Sequence, residues 1–413
     1  MRAPRSIRHT LIGLLALGGV VCSAHAASPD PRQAWNVALV GHLDIEGGGM
    51  LDVQGDLAVI GHMGPPHATS LLDVSDPTKP KLLARIPAKP GTHSHKARLC
   101  GNILITNHEL YGDWGPGTRV GLGFFDVTDP AQPRQSGFLD LGGPNKGGTG
   151  VHRFSADCPR KLVYAGAGVE GYQGNITLIV DFADPKNPRE VSRWWMPGQW
   201  TAGGEKPADS GGGYRTHHPN RLGDRLYVPL WMGGLAIVDI SEIAKPKTVS
   251  HLNYPRPSGA PTHTTLPIGH QIQGRRWLIV FDEDMGGGCE RSAGMWMVEI
   301  TDERTPVVAA EFQPLAPPRC EGRSGAHQPH EFVGEDNLVY AAWFSRGLRI
   351  IDISNPYRPT EVGRYVPRPA GGRLPLSNDV FNDVFVDRRG LIYLIDRDNG
   401  LDILRFGKAP RGG

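Results

Sequence analysis

The chain has 413 residues, and its 44 Lys and Arg side chains nearly balance 42 Asp and Glu side chains, which leaves a formal net charge of +2. This balance argues against a nucleic-acid binder, which needs a basic face. A hydrophobic content of 39% argues against an acidic disordered chain. Gly (55) and Pro (36) are abundant, which is typical of many short strands joined by turns.

Residues 1–26 have the pattern of a secretory signal peptide. Three arginines precede an apolar stretch at 11–21, which is too short to span a bilayer, and a small–x–small sequence ends at Ala26. We therefore expect cleavage near Ala26 and a periplasmic or secreted protein with one domain over residues 27–413. No later segment is apolar enough to predict a membrane span.

A motif then recurs along the chain: two apolar residues, an acid, an apolar residue, Ser or Thr, and usually Asp-Pro. Its acidic position returns every 53 to 60 residues. Seven copies at this period predict a repeat architecture rather than separate domains. The acidic positions are Asp73, Asp126, Asp181, Asp239, Glu299 and Asp352, with Arg405 in a degenerate seventh copy.

Each copy contains about four short strands. The apolar runs are rich in β-branched and aromatic residues, Gly-rich turns separate them, and Asp-Pro or Asn-Pro ends the third run. A four-stranded antiparallel repeat of this length predicts an all-β, seven-bladed β-propeller. The last copy lacks a fourth strand, and the segment 35–43 resembles a fourth strand without a blade, so we expect it to close the last blade.

The motif also resembles a known family. Ile-Val-Asp-Ile-Ser at 237–241 and Ile-Ile-Asp-Ile-Ser-Asn-Pro at 350–356 are similar to the repeats of the LVIVD family of exported β-propellers. The resemblance covers essentially the whole chain after the signal. It implies the propeller fold but leaves the chemistry open.

Four cysteines remain after the signal, and an even number in an exported protein predicts disulfides. Three pairings are open. Cys100 and Cys158 occupy similar places in successive repeats, which favours Cys100–Cys158 together with Cys289–Cys320.

Histidines cluster at one point of the repeat, at or just before the innermost strand. In a propeller the innermost strands line the central channel, so these side chains are predicted to surround one mouth of it. The B–C loops of the blades are expected to add acids and further histidines at the same mouth. The clustered histidines are His93, His95, His152, His217, His218, His263, His327 and His330.

Imidazoles that converge from several blades suit a divalent transition metal such as Cu, Zn, Fe or Mn. We expect the ligands to be His95, His152, His218, His263 and His330. Glu331, Asp282 and His108 are candidate acid–base groups or partners that orient the ligand rings.

The sequence thus predicts a monomeric metalloenzyme for a small-molecule substrate, with oxidation favoured over metal-assisted hydrolysis or elimination. The selenium-binding protein and methanethiol oxidase propellers offer a functional analogy. Two alternatives stay open: a binding module that holds a protein or glycan at the channel mouth, and a polar, water-filled mouth without metal.

Overall fold

The computed structural model describes residues 34–142, 148–207, 213–286, 292–315, 323–367 and 381–407, and this part of the chain is all β. The only helical segments in these ranges are the single 3-10 turns Thr201–Gly203 and Phe344–Arg346. No described helix has the length and hydropathy needed to cross a bilayer. The predicted signal peptide, Cys289 and Cys320 lie outside the described residues.

The strands of the described residues are, in chain order, β1 Ala34–Trp35, β2 Val37–Leu43, β3 Gly48–Gln54, β4 Leu57–His62, β5 His67–Asp73, β6 Lys81–Pro87, β7 Thr92–His93, β8 Ala97–Cys100, β9 Ile103–Leu110, β10 Val120–Asp126, β11 Arg134–Gly142, β12 Gly150–Asp157, β13 Leu162–Gly168, β14 Asn175–Asp181, β15 Arg189–Trp194, β16 Asn220–Leu222, β17 Arg225–Pro229, β18 Leu235–Asp239, β19 Lys247–Leu252, β20 Thr262–Pro267, β21 Trp277–Asp282, β22 Met295–Glu299, β23 Val307–Phe312, β24 Gln328–Pro329, β25 Leu338–Ala342, β26 Leu348–Asp352, β27 Thr360–Tyr365, β28 Phe381–Val386, β29 Leu391–Asp396 and β30 Gly400–Phe406.

These strands form six antiparallel sheets in the described chain, and most follow one repeat of the sequence each. The orders β3-β4-β5-β6, β16-β17-β18-β19 and β20-β21-β22-β23 are simple meanders. The second and third repeats share one nine-stranded sheet, because the pairing of Gly150 with Glu109 joins β12 to β9. Sheet membership therefore does not separate all the repeats, although the strand order within each is the same.

The repeated acid of the motif ends the third strand of each repeat. The Asp73 carboxylate accepts the backbone N–H of Ser75 at 2.9 Å, and Asp239 does the same for Ser241 at 2.8 Å. Such a turn gives the backbone a partner as it leaves the ladder. The acid is thus a turn-forming residue, and no described copy of it contacts the histidines.

Apolar side chains fill the spaces between successive sheets. Leu348 and Ile350 of β26, for example, pack with Ile392 and Leu394 of β29, and all four are fully buried or nearly so. Because both faces of each inner sheet are covered, the strands read as continuous apolar runs.

The first and last strands close this arrangement. β2 pairs with β30, with Val37 opposite Phe406 and Leu43 opposite Leu401, as the sequence predicts. The prediction that Trp35 belongs to the same strand is wrong, because Asn36 adopts a left-handed φ of 55° and Trp35 pairs with Arg364 of β27 instead. The N-terminal segment therefore holds two neighbouring sheets together.

The predicted pairing of Cys100 with Cys158 is confirmed: the two cysteines form a disulfide across 58 residues. It links the end of β8 to the turn that follows β12, and so joins the second and third repeats.

Candidate functional site

Irregularities at the start of the inner strands position the histidines. In β12 the pairing with β13 skips one residue at His152, between Val151 and Arg153, and in β20 it skips His263 in the same way. A β-bulge leaves the extra residue out of the ladder and turns its side chain in a new direction. In β28 the corresponding extra residue is Asn382.

Three further repeats place histidines at the same point without a bulge. His95 lies in the gap between β7 and β8. His217 and His327 precede very short inner strands, and their N–H groups donate to the carbonyls of Pro229 and Ala342. These repeats thus present histidines from irregular pieces of backbone.

These side chains form a continuous row of six rings, which we call the imidazole arc. Ring centroids of sequential neighbours lie 4.1, 5.1, 4.7, 4.1 and 4.5 Å apart along the row. Aromatic rings cover its two ends, with Tyr111 at 5.0 Å and Phe344 at 4.5 Å from the terminal imidazoles. The arc consists of His93, His95, His152, His217, His263 and His327.

Two glutamates contact the arc. The Glu109 carboxylate lies 2.9 Å from His93 Nε2 and 2.7 Å from His152 Nδ1. Burial acts to raise the pKa of Glu109, but the two neighbouring rings outweigh burial and hold that pKa below its usual range. Glu283 forms an ion pair with Arg323 and lies between the last two rings of the arc, 3.7 Å from His263 Nε2 and 3.9 Å from His327 Nε2.

Hydrogen bonds set the tautomers of the arc. The Nδ1–H of His217 donates to the carbonyl of His263 at 3.0 Å, and the Nδ1–H of His327 donates to the carbonyl of Asn382 at 2.5 Å. His263 Nδ1 donates to the Thr264 hydroxyl, whose own proton goes to Gln328. A neutral ring that donates through Nδ1 keeps a lone pair on Nε2. Three Nε2 atoms are therefore prepared as acceptors or metal ligands.

Burial keeps these rings neutral. It is the largest cause that lowers the pKa of His95, His217, His263 and His327 well below 6.5. Neutral imidazole is the form that binds metals.

The arc contains two sets of ligand atoms within reach of one ion each. In one set the atoms of His93, His95 and Glu109 all lie within 4.8 Å of one another. In the other set the same holds for His217, His263 and Glu283. His152 stands between the two sets, with Nδ1 toward Glu109 and Nε2 2.9 Å from His217 Nε2.

A second charged group lies further along the inner strands, and we call it the Glu331 cluster. The Glu331 carboxylate forms ion pairs with Arg98 and, at 2.9 Å, with Arg153, and it lies 3.3 Å from His218 Nε2. The three partners come from three different repeats. Burial acts to raise the pKa of Glu331, but these neighbours hold it below the usual range.

The structure divides the predicted ligands between these two places. His95, His152 and His263 lie in the imidazole arc. His218 instead lies in the Glu331 cluster, because adjacent residues of an extended strand point in different directions and its neighbour His217 takes the place in the arc. His330 lies beside a cavity of about 220 Å³, where Nδ1 accepts the N–H of Val386.

The predicted acid–base residues lie outside the arc as well. Glu331 is held by its two arginines. His108 contacts the hydroxyls of Thr106 and Ser94, and burial lowers its pKa to about 3. Asp282 accepts hydrogen bonds from Tyr254 and Trp296, both at 2.7 Å, and burial raises its pKa to about 7. Asp282 thus anchors the strand end that carries Glu283.

Five residues of the arc and its glutamates were absent from the predicted set: His93, His217, His327, Glu109 and Glu283. All are direct neighbours, or near neighbours, of predicted residues. Choosing between His217 and His218, however, requires the position of the bulge, which hydrophobicity alone does not give.

Comparisons with known proteins agree with this architecture. The family model for the LVIVD repeat matches residues 222–253 and 335–366. No curated protein sequence matches the chain at a significant level.

Solved structures with the same fold include a protein from Lactobacillus plantarum, with 12% identity, a TM-score of 0.55 and coverage of 84% of this chain and 87% of that one. The periplasmic gluconolactonase of Pseudomonas aeruginosa has 12% identity, a TM-score of 0.53 and coverage of 84% and 97%. A streptogramin B lyase has 12% identity, a TM-score of 0.54 and coverage of 92% and 100%. At these identities the likeness concerns the fold alone. The chain thus contains LVIVD repeats at 222–253 and 335–366, and its fold is that of a β-propeller.

Proposed function

We propose that the chain is an exported, seven-bladed propeller enzyme whose imidazole arc binds divalent transition-metal ions at one mouth of the channel and acts on a small molecule. The ligand groups are His217, His263 and Glu283 in one half of the arc, and His93, His95 and Glu109 in the other. Cu, Zn, Fe and Mn are the candidate metals, because imidazole and carboxylate donors suit all four.

One contact carries the proposal. His152 Nε2 and His217 Nε2 lie 2.9 Å apart. Each ring has its Nδ1–H engaged, by the Glu109 carboxylate for His152 and by the carbonyl of His263 for His217. Two neutral rings in these tautomers would direct lone pairs at each other, and burial opposes protonation of either ring. A cation bound at His217 Nε2 together with His263 and Glu283 removes this repulsion and gives His152 Nε2 a partner.

The donor set supports a reactive rather than a purely structural metal. Two imidazoles and one carboxylate leave coordination positions open for water or substrate. A metal held in this way supplies Lewis acidity, an activated water or, for a redox-active ion, oxygen chemistry. The protein residues orient the ligands: Glu109 contacts both His93 and His152, and Arg323 holds Glu283. We favour oxidation, with hydrolysis or elimination as the reaction class if the ion is zinc.

Elemental analysis tests the proposal. Protein purified from the periplasm without chelators or a His tag is expected to hold about one to two equivalents of metal. A His217→Ala, His263→Ala double variant is expected to lose the metal of its half of the arc. The matched control is His251→Ala, which removes an exposed imidazole on β19, outside both the imidazole arc and the Glu331 cluster.

Wild-type protein that stays free of metal after incubation with Cu, Zn, Fe and Mn salts would refute the metal site. The binding-module alternative, in which the channel mouth holds a protein or glycan, would then be tested in its place.

A further inference from the structure

We propose that the cavity beside His330 binds a neutral, polyhydroxylated ring of monosaccharide size. Phe332 stacks on the ring, and polar atoms of His330, Glu331 and Asp383 bond to its hydroxyl groups. This site is separate from the metal sites of the proposed function and does not depend on them.

The cavity is large enough for such a ligand. Its volume is about 220 Å³, far more than the roughly 10–15 Å³ that one water molecule needs. Its walls come from four repeats and include Leu51, Arg98, His330, Glu331, Phe332 and Asp383.

The cavity lies beyond the imidazole arc along the inner strands. Arg98 comes three residues after His95, and His330 comes three residues after His327. Three residues of extended chain span about 10 Å. A ligand in the cavity would therefore not touch the nitrogen atoms that face each other in the arc.

Bonds between repeats hold the walls in place. The Leu51 N–H donates to Asp383 Oδ2 at 2.9 Å, and the Leu51 carbonyl accepts from Arg98 Nη1 at 3.2 Å. Arg98 in turn forms an ion pair with Glu331. Walls that are fixed before a ligand arrives lose little entropy on binding, which favours affinity.

The His330 ring offers a hydrogen-bond donor. Its Nδ1 atom accepts the N–H of Val386 at 3.3 Å, and burial lowers its pKa to about 4. A neutral ring that accepts through Nδ1 carries its proton on Nε2. This Nε2–H has no acceptor in the described part of the chain.

Two carboxyl groups offer acceptors. All the hydrogen bonds that Glu331 receives from described residues go to Oε1, and Asp383 uses only Oδ2. The other oxygen of each group, like His330 Nε2, remains accessible to a water molecule. Hydroxyl groups both donate and accept, so a polyol can satisfy the donor and the two acceptors together.

The charges near the cavity largely compensate one another. The carboxyl groups of Asp52, Glu331 and Asp383 act on the Arg98 guanidinium, and Arg153 lies beside Glu331 as well. Burial raises the pKa of Asp52, and it raises that of Asp383 to about 6. A neutral guest therefore suits the cavity better than an ion.

Aromatic rings complete the cavity. Phe332 is 69% exposed although it belongs to the cavity wall, and Phe385 packs edge-on against His330 with ring centroids 5.0 Å apart. A small polar cavity with an exposed aromatic ring at its edge is suited to a ligand with polar edges and an apolar face. A sugar ring has both.

Saturation-transfer difference NMR on the full, metal-free chain tests the inference. The neutral probes are D-glucose, D-galactose and N-acetyl-D-glucosamine, and the charged probes are ethanolamine and acetate. Phe332→Ala removes the exposed ring, and His330→Asn keeps an acceptor in the place of Nδ1 but removes the Nε2–H. The matched control is Tyr357→Ala, which removes a half-exposed aromatic ring in the turn after β26.

We expect at least one sugar to bind with a Kd on the order of 1 mM, the range of a small ligand with few contacts. Phe332→Ala and His330→Asn should each weaken this binding by about 3–10-fold. Tyr357→Ala should leave the affinity within about twofold. Loading the protein with metal should not change the affinity.

Three results would overturn the inference. In the first, none of the sugars binds, or only a charged probe does. In the second, a sugar binds equally well to Phe332→Ala and His330→Asn, and so occupies another place. In the third, sugar binding requires metal, which would put the sugar at the arc. The elemental analysis tests the metal sites separately, so the failure of one proposal leaves the other standing.

Discussion

The imidazole arc and the Glu331 cluster use adjacent residues of the same inner strands, such as His152 and Arg153, yet their polar groups are satisfied in different ways. In the cluster the Glu331 carboxylate meets two arginines, so opposite charges are paired within the protein. In the arc, burial opposes protonation of the rings, and the Nε2 atoms of His152 and His217 face each other at 2.9 Å while the Nδ1 atom of each ring already has an acceptor.

The difference separates a structural role from a functional one. A buried ion pair is destabilising to break but needs no ligand. Lone pairs that converge without a donor favour a shared cation, which in the proposed function is a metal ion. We therefore expect substitutions in the cluster to change stability and substitutions in the arc to change metal content.

The largest effect is expected from Glu331→Gln. It leaves Arg98 and the fully buried Arg153 without their carboxylate, which should lower the free energy of unfolding by about 3–5 kcal/mol. Chemical denaturation measures this loss, and the metal content of the folded variant should match the wild type. Glu242→Gln, which breaks an exposed pair with Lys245, serves as the control and should cost about 0–1 kcal/mol. Equal losses in both variants would contradict the structural role of the cluster.

The adjacent pair His217 and His218 gives the next test. His217→Ala should weaken metal binding by about 10–100-fold or more, since it removes a proposed ligand. His218→Ala should leave the metal affinity within about twofold, because its ring contacts Glu331 rather than the arc. Competition with a chromogenic chelator measures both. If His218→Ala weakened metal binding more than His217→Ala, the result would instead support His218 as the ligand, as the sequence predicts.

The two glutamates sharpen the comparison within the arc. Glu283→Gln should lower the affinity for the ion bound by His217 and His263. Glu109→Gln should lower the affinity for the ion bound by His93 and His95. In each variant we expect the affinity for one of the two metal ions to fall by about 10–100-fold and the affinity for the other ion to stay unchanged. A titration in which either substitution removes all the metal would show one shared site instead of two.

The smallest effect is expected at the seam between β2 and β30, remote from both groups. The His42 ring lies 2.8 Å from Asp402 and 2.9 Å from Asp44, and these carboxylates, Asp402 first, raise its pKa to about 9. Because the folded pKa exceeds the ordinary 6.5, the protonated ring stabilises the fold fully below about pH 6.5. This contribution is lost as the pH rises through about 9.

Thermal unfolding between pH 6 and pH 10 would measure the contribution of His42 to the stability of the β2–β30 pair. The ring is 40% exposed, so we expect a shift of only about 1 °C in Tm. His42→Gln should remove this pH-dependent part and leave the metal content unchanged. A pH profile of His42→Gln that superimposes on the wild type would refute the assignment.

Much of the fold was accessible from the sequence, because the relevant signals are local. The acid that recurs every 53 to 60 residues marks the end of a strand wherever it occurs, and in the structure it accepts the backbone N–H two residues on, as Asp73 does for Ser75. The last repeat lacks a fourth strand, and the chain begins with a strand that belongs to no repeat. Together these two features predicted the pairing of β2 with β30. Trp35 was misassigned because one left-handed residue, Asn36, redirects the chain.

The candidate site was accessible only in part. The concentration of histidines at the inner strands was visible in the sequence, and His95, His152 and His263 do share one row of rings. His218 and His330 did not follow, because an extended backbone changes the direction of a side chain with every residue. A single bulge therefore decides which of two adjacent histidines enters the row.

The sequence by itself determined the strand pattern, the period of the repeat and the concentration of imidazoles at the inner strands, and it favoured the pairing of Cys100 with Cys158, since each depends on residues close in the chain or on regular spacing. Only the tertiary structure decided which imidazoles meet. It placed Glu109 and Glu283 between rings from different repeats, and it brought Arg98 and Arg153 to one carboxylate. The physical reason is that bulges and short inner strands set side-chain direction through backbone pairing across the sheet, and the identity of the residues does not encode that pairing locally.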